Sequence, residues 1–482
     1  MQGPAAEWRR ISGLKWRAVP GPERRRFRSL THLGDIFAFC RRQLDSEDEA
    51  VLDKLSAQWQ TQKDPGAVLD FKQLGNVCFK ARDYIQAVAL YSKGISHSTK
   101  DSREAALLYA NRSAAFYHLQ RYRECLADIG RAQEHGYPQE LQHKVVARHM
   151  ACLHELGGPE GAGDAQSRES PRPTALPSIQ AQTGGPSCAR SEASDPGEDA
   201  DPRGERPAIA LHSDASRGRH WVATRDLRPG EVVLQEEAFA AVLIPQGRRR
   251  VGLSNEDLYC HHCLGQLALS LPCLGCSFSN YCSTLCREQA WNHYHWLDCS
   301  LGGLLLALGT FTHLALRTVL VAGVQEVESA ERLDGWTDGG RREEWSERES
   351  QSHMPRAGCC SRNERRSGAG DGELRGGPSR YQTIHSLLTH TEQQEPEHLF
   401  LCALTAAAVC REIGRRGLEP QAVGEGPELD AGSAKGRRLG SLGVAMLRHL
   451  LQLECNAHAV ITVRDTDESC HRNTHRLAPP FR

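Results

Sequence analysis

The spacing of apolar residues between positions 68 and 158 predicts a helical repeat. The stretch LDFKQLGNVCFKARDYIQAVALYSKGI contains two apolar runs of helical period with a polar break between them, which predicts a pair of amphipathic helices. Gly75, Ala87 and Tyr91 fall where a helix-turn-helix repeat needs a close crossing and two packing residues. The pattern returns in AALLYANRSAAFYHLQRYRECLADIGRAQEHGYP, with Ser113 in the place of Gly75. A further helix follows in PQELQHKVVARHMACLHELGG, so this region predicts tetratricopeptide repeats.

The helical pattern weakens on both sides of the repeats. Residues 1–67 carry basic clusters, RRRFR among them, and predict a polar lead-in with one helix at Leu30–Leu44. Residues 159–207 and 325–379 are rich in glycine, serine, proline and charged residues, and predict a disordered linker and a low-complexity loop. Arginine alternates with glutamate in the second stretch, which favours a solvated loop over a nucleic-acid-binding patch.

The longest apolar run is LGGLLLALGTFTHLALRTVLVAG, from Leu301 to Gly323. Its interior carries His313 and Arg317, and ionisable residues are costly at the centre of a bilayer. The run therefore favours a buried helix of a large domain over a membrane span.

Composition narrows the class of protein further. The 482 residues are enough for about three domains. Lys+Arg 59 against Asp+Glu 60 gives a formal charge of −1, so no global basic field would attract nucleic acid. The N-terminus MQGPAAEWRR lacks the apolar core of a signal peptide, and the cysteines cluster at metal-ligand spacing. These features predict a reducing compartment, the cytoplasm and nucleus.

Four spaced pairs of cysteine and histidine predict a metal-binding module. Zn²⁺ takes four tetrahedral ligands in a structural site, so eight ligands predict two closed zinc sites. A segment of about forty residues cannot bury enough apolar surface to fold alone, and a structural zinc supplies about 10–16 kcal/mol in small finger peptides. His293 is a rival ligand, but the H-x3-C spacing favours His295. The predicted ligands are Cys260, Cys263, Cys273, Cys276, Cys282, Cys286, His295 and Cys299.

The order C-x2-C, C-x2-C, Y-C-x3-C, W, H-x3-C resembles that of the MYND zinc finger. In that family the two sites are interleaved. The resemblance therefore implies that the first and third pairs (Cys260, Cys263, Cys282, Cys286) hold one zinc, and the second and fourth pairs (Cys273, Cys276, His295, Cys299) the other. It also implies a structural metal in a module that binds other proteins or serves as a framework.

The stretch just before the finger, Ser216–Leu243, alternates apolar and polar residues around a Pro229-Gly230 turn, which predicts β-hairpins. It resembles the opening of a SET domain, although His220 stands where that family usually has a second glycine. The matching positions are Arg217, Gly218, Arg219, Ala223, Gly230 and Glu231.

A SET segment interrupted by a MYND finger is similar to the SET and MYND domain-containing protein-lysine methyltransferases, in particular members with tetratricopeptide repeats before the SET segment. The resemblance implies S-adenosylmethionine as cofactor, lysine side chains of proteins as substrates, and Arg217, Gly218, Arg219 and Asn456 as cofactor-binding residues. Asn456 lies in ECNAHA, which matches a C-N segment of the family; without the resemblance, this pair predicts a C-terminal helix cap.

The predicted fold class is therefore multidomain α+β. After the repeats and linker it has an N-terminal SET part at 208–245, the finger at 260–299, and a helical SET insert at 300–324 and 380–463. The stretch VITVRDTDESCHRNTHRLAPPFR has no match to the family's N-H-S-C-x-P-N segment, its tyrosine or its post-SET cysteine cluster. Residues 464–482 are therefore predicted to be an unrelated tail, and the chain a shortened, inactive form with an incomplete SET domain.

The alternative function is a non-catalytic scaffold that binds proteins through the repeats and the finger. Five repeat residues resemble the clamp that holds the acidic C-termini of Hsp90 and Hsp70. Lysine and arginine would supply charge-assisted hydrogen bonds, and asparagine an amide donor. The alternative interpretation is that all five are ordinary solvated surface residues. The five are Lys72, Asn76, Asn111, Lys144 and Arg148.

Overall fold

The computed structural model describes residues 4–59, 61–99, 102–157, 208–214, 218–234, 238–245, 254–333, 379–418 and 431–459. The chain separates into two compact units. One unit comprises Met1–Leu156 and Phe239–Arg482, and the other Gly157–Ala238. The described residues are mostly helical.

The N-terminal segment consists of four helices: α1 (Pro4–Ala18), α2 (Gly21–Arg28), α3 (Leu33–Arg42) and α4 (Ser46–Ala57). The prediction of a polar lead-in is wrong, because these helices supply part of the main hydrophobic core. Trp8, Phe27 and Ile36 are each at most 2% exposed. Phe27 lies among the arginines of RRRFR, yet it points inward while Arg25 and Arg26 stay exposed, as expected of one buried face on an amphipathic helix.

The predicted pairs of repeat helices are confirmed. They are α5 (Pro65–Lys80) with α6 (Tyr84–His97), and α7 (Arg103–His118) with α8 (Tyr122–Glu134); α9 (Gln142–Gly157) follows. A Cβ atom on Gly75 would lie 2.5 Å from a ring carbon of Tyr91, so glycine is required where α5 crosses α6. Ala87, Tyr91, Cys125 and Ile129 belong to a separate core that holds the repeats together.

The second unit contains an antiparallel hairpin of β1 (Ile209–Asp214) and β2 (Gly218–Ala223). The predicted turn at Pro229-Gly230 is present, with Gly230 at a φ of 82°. The expected strand at 232–234 is absent from the described residues. Val232 is 76% exposed, and no strand in the described part of this unit pairs with it; an unpaired strand is unstable in water.

The finger region begins at α10 (Asn255–Leu258). It continues through the short strands β3 (Leu271–Pro272) and β4 (Asn280–Tyr281), which pair antiparallel, and through α11 (Thr284–Ala290). A single π-helical turn at Trp291–His295 joins α11 to α12 (Trp296–Leu308). The finger therefore runs directly into the helices of the main core.

The apolar run at 301–323 forms two helices, not one. Helix α12 ends before Gly309, whose φ of 103° breaks the helical path, and α13 (Thr310–Ala322) follows. Among the described residues, no helix has the length and apolarity needed to cross a membrane.

Four more helices complete the main core: α14 (Val324–Leu333), α15 (Arg380–His385), α16 (Pro396–Arg415) and α17 (Ala431–Asn456). The prediction of a low-complexity loop is wrong for residues 325–333, which belong to α14, because Val327 and Ala330 are buried in the core. Residues 334–378 and the predicted tail at 464–482 lie outside the described residues.

Candidate metal centre

The first group of ligands is made by two local turns. Cys260 and Cys263 flank a tight turn in which the Cys260 N–H donates to Gly265 O at 2.8 Å. Cys282 and Cys286 lie at the start of α11, where the Ser283 hydroxyl caps the helix by accepting from the Cys286 N–H. The Sγ atoms of Cys263 and Cys282 are 3.6 Å apart, and those of Cys282 and Cys286 are 3.5 Å apart. All four sulfur atoms lie within 4.8 Å of one another.

The second group joins the loop after β3 to the turn between α11 and α12. Cys273 Sγ lies 3.1 Å from His295 Nε2 and 3.8 Å from Cys299 Sγ, and Cys276 Sγ lies 3.5 Å from His295 Nε2. All four residues are buried, and their ligand atoms also lie within 4.8 Å of one another. The Gly275 N–H donates to Cys273 Sγ at 3.3 Å, which orients that sulfur.

These distances fit a tetrahedral metal. With Zn–S bonds of about 2.3 Å, ligand sulfurs at tetrahedral angles lie about 3.8 Å apart. The donors are seven sulfurs and one imidazole nitrogen, the soft and borderline set that zinc prefers over magnesium or calcium. Two groups of four could therefore each hold a metal ion, with no open position for a substrate.

In each group, neighbouring thiols lower the pKa of one cysteine. Hydrogen bonds from Cys263 and Cys282 lower the pKa of Cys260. Hydrogen bonds from Cys276 and Cys299 lower the pKa of Cys273 in the same way. The sulfur atoms of Cys260 and Cys273 therefore accept hydrogen bonds from the neighbouring thiols. A bound metal would take the place of those thiol protons, because a metal-bound cysteine is deprotonated.

The structure separates the two candidate histidines. His295 is 2% exposed and faces the sulfurs of the second group. His293 is exposed, and its Nδ1 lies 2.7 Å from Gln289 O. Both belong to the π-helical turn, which widens the helix by one residue and directs His295 inward.

A buried ionic cluster beside the second group was not predicted. Asp298, next to the ligand Cys299, is fully buried and pairs with Arg317 of α13. His313 Nε2 lies 3.2 Å from the same carboxylate, and the Arg317 guanidinium lies 3.5 Å from the ring centre of Tyr294. Burial alone would raise the pKa of Asp298, but Arg317 and His313 outweigh it and hold the pKa below its ordinary value. The cluster fixes the finger to the helical core.

The residues that the SET resemblance implies for the cofactor are spread over both units. Arg217 lies outside the described residues, Gly218 begins β2, and Arg219 stands opposite Ser213 in the hairpin register. Asn456 ends α17, where its Nδ2 donates to Gln452 O at 2.8 Å. That contact is made to the carbonyl four residues earlier in the same helix.

The five clamp residues lie on three alternate helices of the repeats. Asn76 of α5 and Asn111 of α7 are joined, because Asn111 Nδ2 donates to Asn76 Oδ1 at 3.2 Å. Arg148 of α9 donates to Ala110 O at 3.0 Å and to Ser113 Oγ at 2.7 Å, so it contacts the same part of α7. Lys72 is half-buried and Lys144 is exposed.

Repeat-like helical pairs and a finger with two interleaved groups of four ligands define a helical-repeat protein with a MYND-type finger. The chain is 34% identical to mouse protein-lysine N-methyltransferase SMYD4 over 533 residues, which cover 99% of this chain and 65% of that protein. It is 35% identical to the chicken SMYD4 protein, with 99% of this chain and 70% of that protein covered. The chain belongs to the SMYD4 family of protein-lysine N-methyltransferases.

The chain thus spans about two thirds of the length of these relatives. A shorter similarity, 40% identity over 63 residues, links 13% of the chain to 16% of the Hsp70/Hsp90 co-chaperone CNS1 of Saccharomyces cerevisiae. No family model matches the chain, and no solved structure matches it.

Proposed function

We propose that the chain holds two structural zinc ions in its finger and that this finger supports the repeats and the helical core of a lysine methyltransferase. The observation that carries the proposal is the interleaving of the ligands: residues far apart in sequence meet in two groups, each within 4.8 Å. Eight donors at such distances provide four ligands for each of two tetrahedral ions, and no donor is left unused. Metal analysis of the purified chain tests the proposal, with two zinc ions per chain as the expected result.

The enzymatic part of the proposal rests on the family. Its relatives are named protein-lysine N-methyltransferases, so S-adenosylmethionine is the proposed cofactor and a protein lysine the proposed methyl acceptor. When bound, S-adenosylmethionine supplies the methyl group. The proposed contacts are Arg217, Gly218, Arg219 and Asn456.

We expect the 482-residue polypeptide by itself to transfer no methyl groups to protein lysine. Methyl transfer needs a closed, water-excluding site that positions the lysine amine, and residues 464–482 contain no N-H-S-C-x-P-N segment or tyrosine that could help to close it. The assay uses radiolabelled S-adenosylmethionine with a heat-treated cell extract, in which the extract's own enzymes are inactive. Transfer above that of an Arg219→Ala variant would contradict the expectation.

A second function, peptide binding by the repeats, is supported by the contact between α5 and α7. The Oδ1 atom of Asn76 accepts from the Tyr91 hydroxyl at 2.8 Å and from Asn111 Nδ2 at 3.2 Å. These two bonds fix the orientation of the Asn76 amide and direct its NH₂ group away from both donors. Lys72 is one turn away on the same helix, so an ammonium and an amide donor can converge on one carboxylate.

We expect a peptide ending in Glu-Glu-Val-Asp to bind the full chain with a Kd in the micromolar range, because three cationic side chains and two amides meet one acidic C-terminus. Lys72→Ala should weaken binding by about 1.5–3 kcal/mol, the range for hydrogen bonds to charged groups. Lys144→Ala should act in the same direction. Isothermal titration calorimetry measures both, and affinity should fall as salt screens the charges.

The matched control is Lys80→Ala, which removes an exposed lysine from the end of α5 and should leave the affinity unchanged. Arg148→Ala, although a clamp position, would also remove the bonds to Ala110 O and Ser113, so the two lysines are the cleaner probes. Equal affinity for a C-terminally amidated peptide would show that the repeats do not bind a carboxylate in this way.

A further inference from the structure

The loop of the finger between residues 268 and 280 is packed against the repeats through polar contacts, most of them buried or partly buried. Lys63, between α4 and α5, donates from Nζ to Ser96 O of α6 at 2.8 Å and to Cys273 O at 2.7 Å. A single ammonium thus bridges the repeats and the backbone of a metal ligand. The chain beside Lys63 adds a backbone contact, because the Ser277 N–H donates to Thr61 O at 2.8 Å.

The side chains of two arginines of the repeats also donate hydrogen bonds to this loop. Arg112 of α7 is fully buried, and its guanidinium reaches Ser270 O at 3.4 Å while it pairs with Asp128. Arg121, before α8, donates to Ala268 O at 2.6 Å. Each arginine therefore uses a carbonyl of the finger to complete its hydrogen bonding.

Asn280 of the finger is 3% exposed, and its side chain adds a further hydrogen bond between the finger and the repeats. Its Oδ1 accepts from the Ser96 hydroxyl at 2.9 Å and from the Ser270 hydroxyl at 2.8 Å. These groups are buried, so they stay paired only while the loop keeps its position. If the loop moved away, Ser96, Lys63 and Arg112 would each lose a hydrogen-bond partner inside the protein, which is unfavourable.

The position of the loop depends in turn on the second group of metal ligands. Within 268–280 the only regular structure consists of the two-residue strand β3 and the first residue of β4, and the loop contains the ligands Cys273 and Cys276. A loop with so little regular structure is held by its metal, because a segment of this length cannot bury enough apolar surface of its own.

We infer that metal binding at Cys273, Cys276, His295 and Cys299 is thermodynamically coupled to the stability of the repeat helices α6–α8, with Lys63 and Ser96 as the positioning residues. The inference rests on the zinc binding proposed above. Coupling of this kind is reciprocal, so a ligand that stabilises the repeats also tightens metal binding by the same factor. The finger then stabilises the repeats when its metal is bound.

The test is hydrogen–deuterium exchange of the full 482-residue chain, with its zinc content measured before and after treatment with a chelator. Removal of zinc should speed exchange in α6–α8 by about tenfold or more, the change expected when a hydrogen bond from a charged donor is lost. The double variant Lys63→Met/Ser96→Ala should keep two zinc ions while showing a smaller response to the chelator. Lys80→Met, a matched loss of a lysine outside the contact, should respond like the unmodified chain.

The outcomes separate the inference from the proposed function. A chain that loses two zinc ions with no change of exchange in α6–α8 overturns the coupling but leaves zinc binding standing. A chain that holds no zinc from the start overturns both. If Lys63→Met/Ser96→Ala and Lys80→Met respond equally, the two positioning residues do not transmit the coupling, and the assignment is wrong.

Discussion

Replacing Cys273 with serine is expected to remove one of the two zinc ions and to unfold the loop at 268–280. The serine hydroxyl stays protonated at neutral pH and does not replace a thiolate ligand, so the second group is left with three donors. A structural zinc contributes about 10–16 kcal/mol in isolated finger peptides, far more than such a loop gains from its own packing. Native mass spectrometry should show one zinc per chain, and limited proteolysis should cleave the loop.

The matched control is Cys40→Ser. Cys40 is as deeply buried as Cys273 but lies in the main core, away from both groups. The same exchange of sulfur for oxygen should there leave two zinc ions in place and the loop protected. If Cys273→Ser also retained two zinc ions, Cys273 would not be a ligand.

The second large effect is expected at the buried ion pair of the repeats. Arg112 and Asp128 both have fully buried side chains, and Arg112 Nε donates to Asp128 Oδ2 at 2.7 Å. Removing one partner of a buried pair leaves an uncompensated charge, which typically costs about 3–5 kcal/mol. Arg131, 3.1 Å from the other oxygen of Asp128, offsets part of that loss. We therefore expect Arg112→Met to lower the free energy of unfolding of the repeats by about 3 kcal/mol.

Hydrogen exchange of α7 and α8 during denaturant titration measures this change. The double variant Arg112→Met/Asp128→Leu removes both charges and should recover much of the lost stability, because an apolar pair of similar volume can replace a buried ion pair. The control is Arg103→Met, which breaks an exposed pair with Glu140 and should cost less than about 1 kcal/mol. Equal effects of Arg112→Met and Arg103→Met would show that burial does not determine the strength of the Arg112 pair.

Spacing alone was enough to predict the eight ligands, because a chelating pair such as Cys260 and Cys263 is held by a local turn that any C-x2-C sequence can form. The division of the four pairs into two interleaved groups was predicted only from the resemblance to the MYND finger. The same holds for the repeats, whose close crossing at Gly75 is a local requirement of two adjacent helices. The two members of a chelating pair, like the two helices of a repeat, lie near one another in sequence.

The N-terminal helices could not be predicted in this way. Trp8 and Phe27 stand among arginines, and their partners in α16 are more than 300 positions away: Trp8 Nε1 donates to Thr405 Oγ1 at 2.8 Å, and Phe27 packs edge-on to Phe400. The ion pair of Asp298 with Arg317 was missed for a related reason. Arg317 lies in the apolar run, and the residues next to it in the sequence do not indicate that its side chain pairs with Asp298 of the finger.

Zinc counting on double variants tests the interleaved metal centre most directly. Cys260→Ser/Cys282→Ser changes two ligands of the same group and should leave one zinc per chain, whereas Cys260→Ser/Cys273→Ser changes one ligand in each group and should leave none. Native mass spectrometry of the full chain reads both counts. If the pairs instead bound zinc in sequential order, the results would be reversed: Cys260→Ser/Cys273→Ser would keep one zinc and Cys260→Ser/Cys282→Ser would keep none.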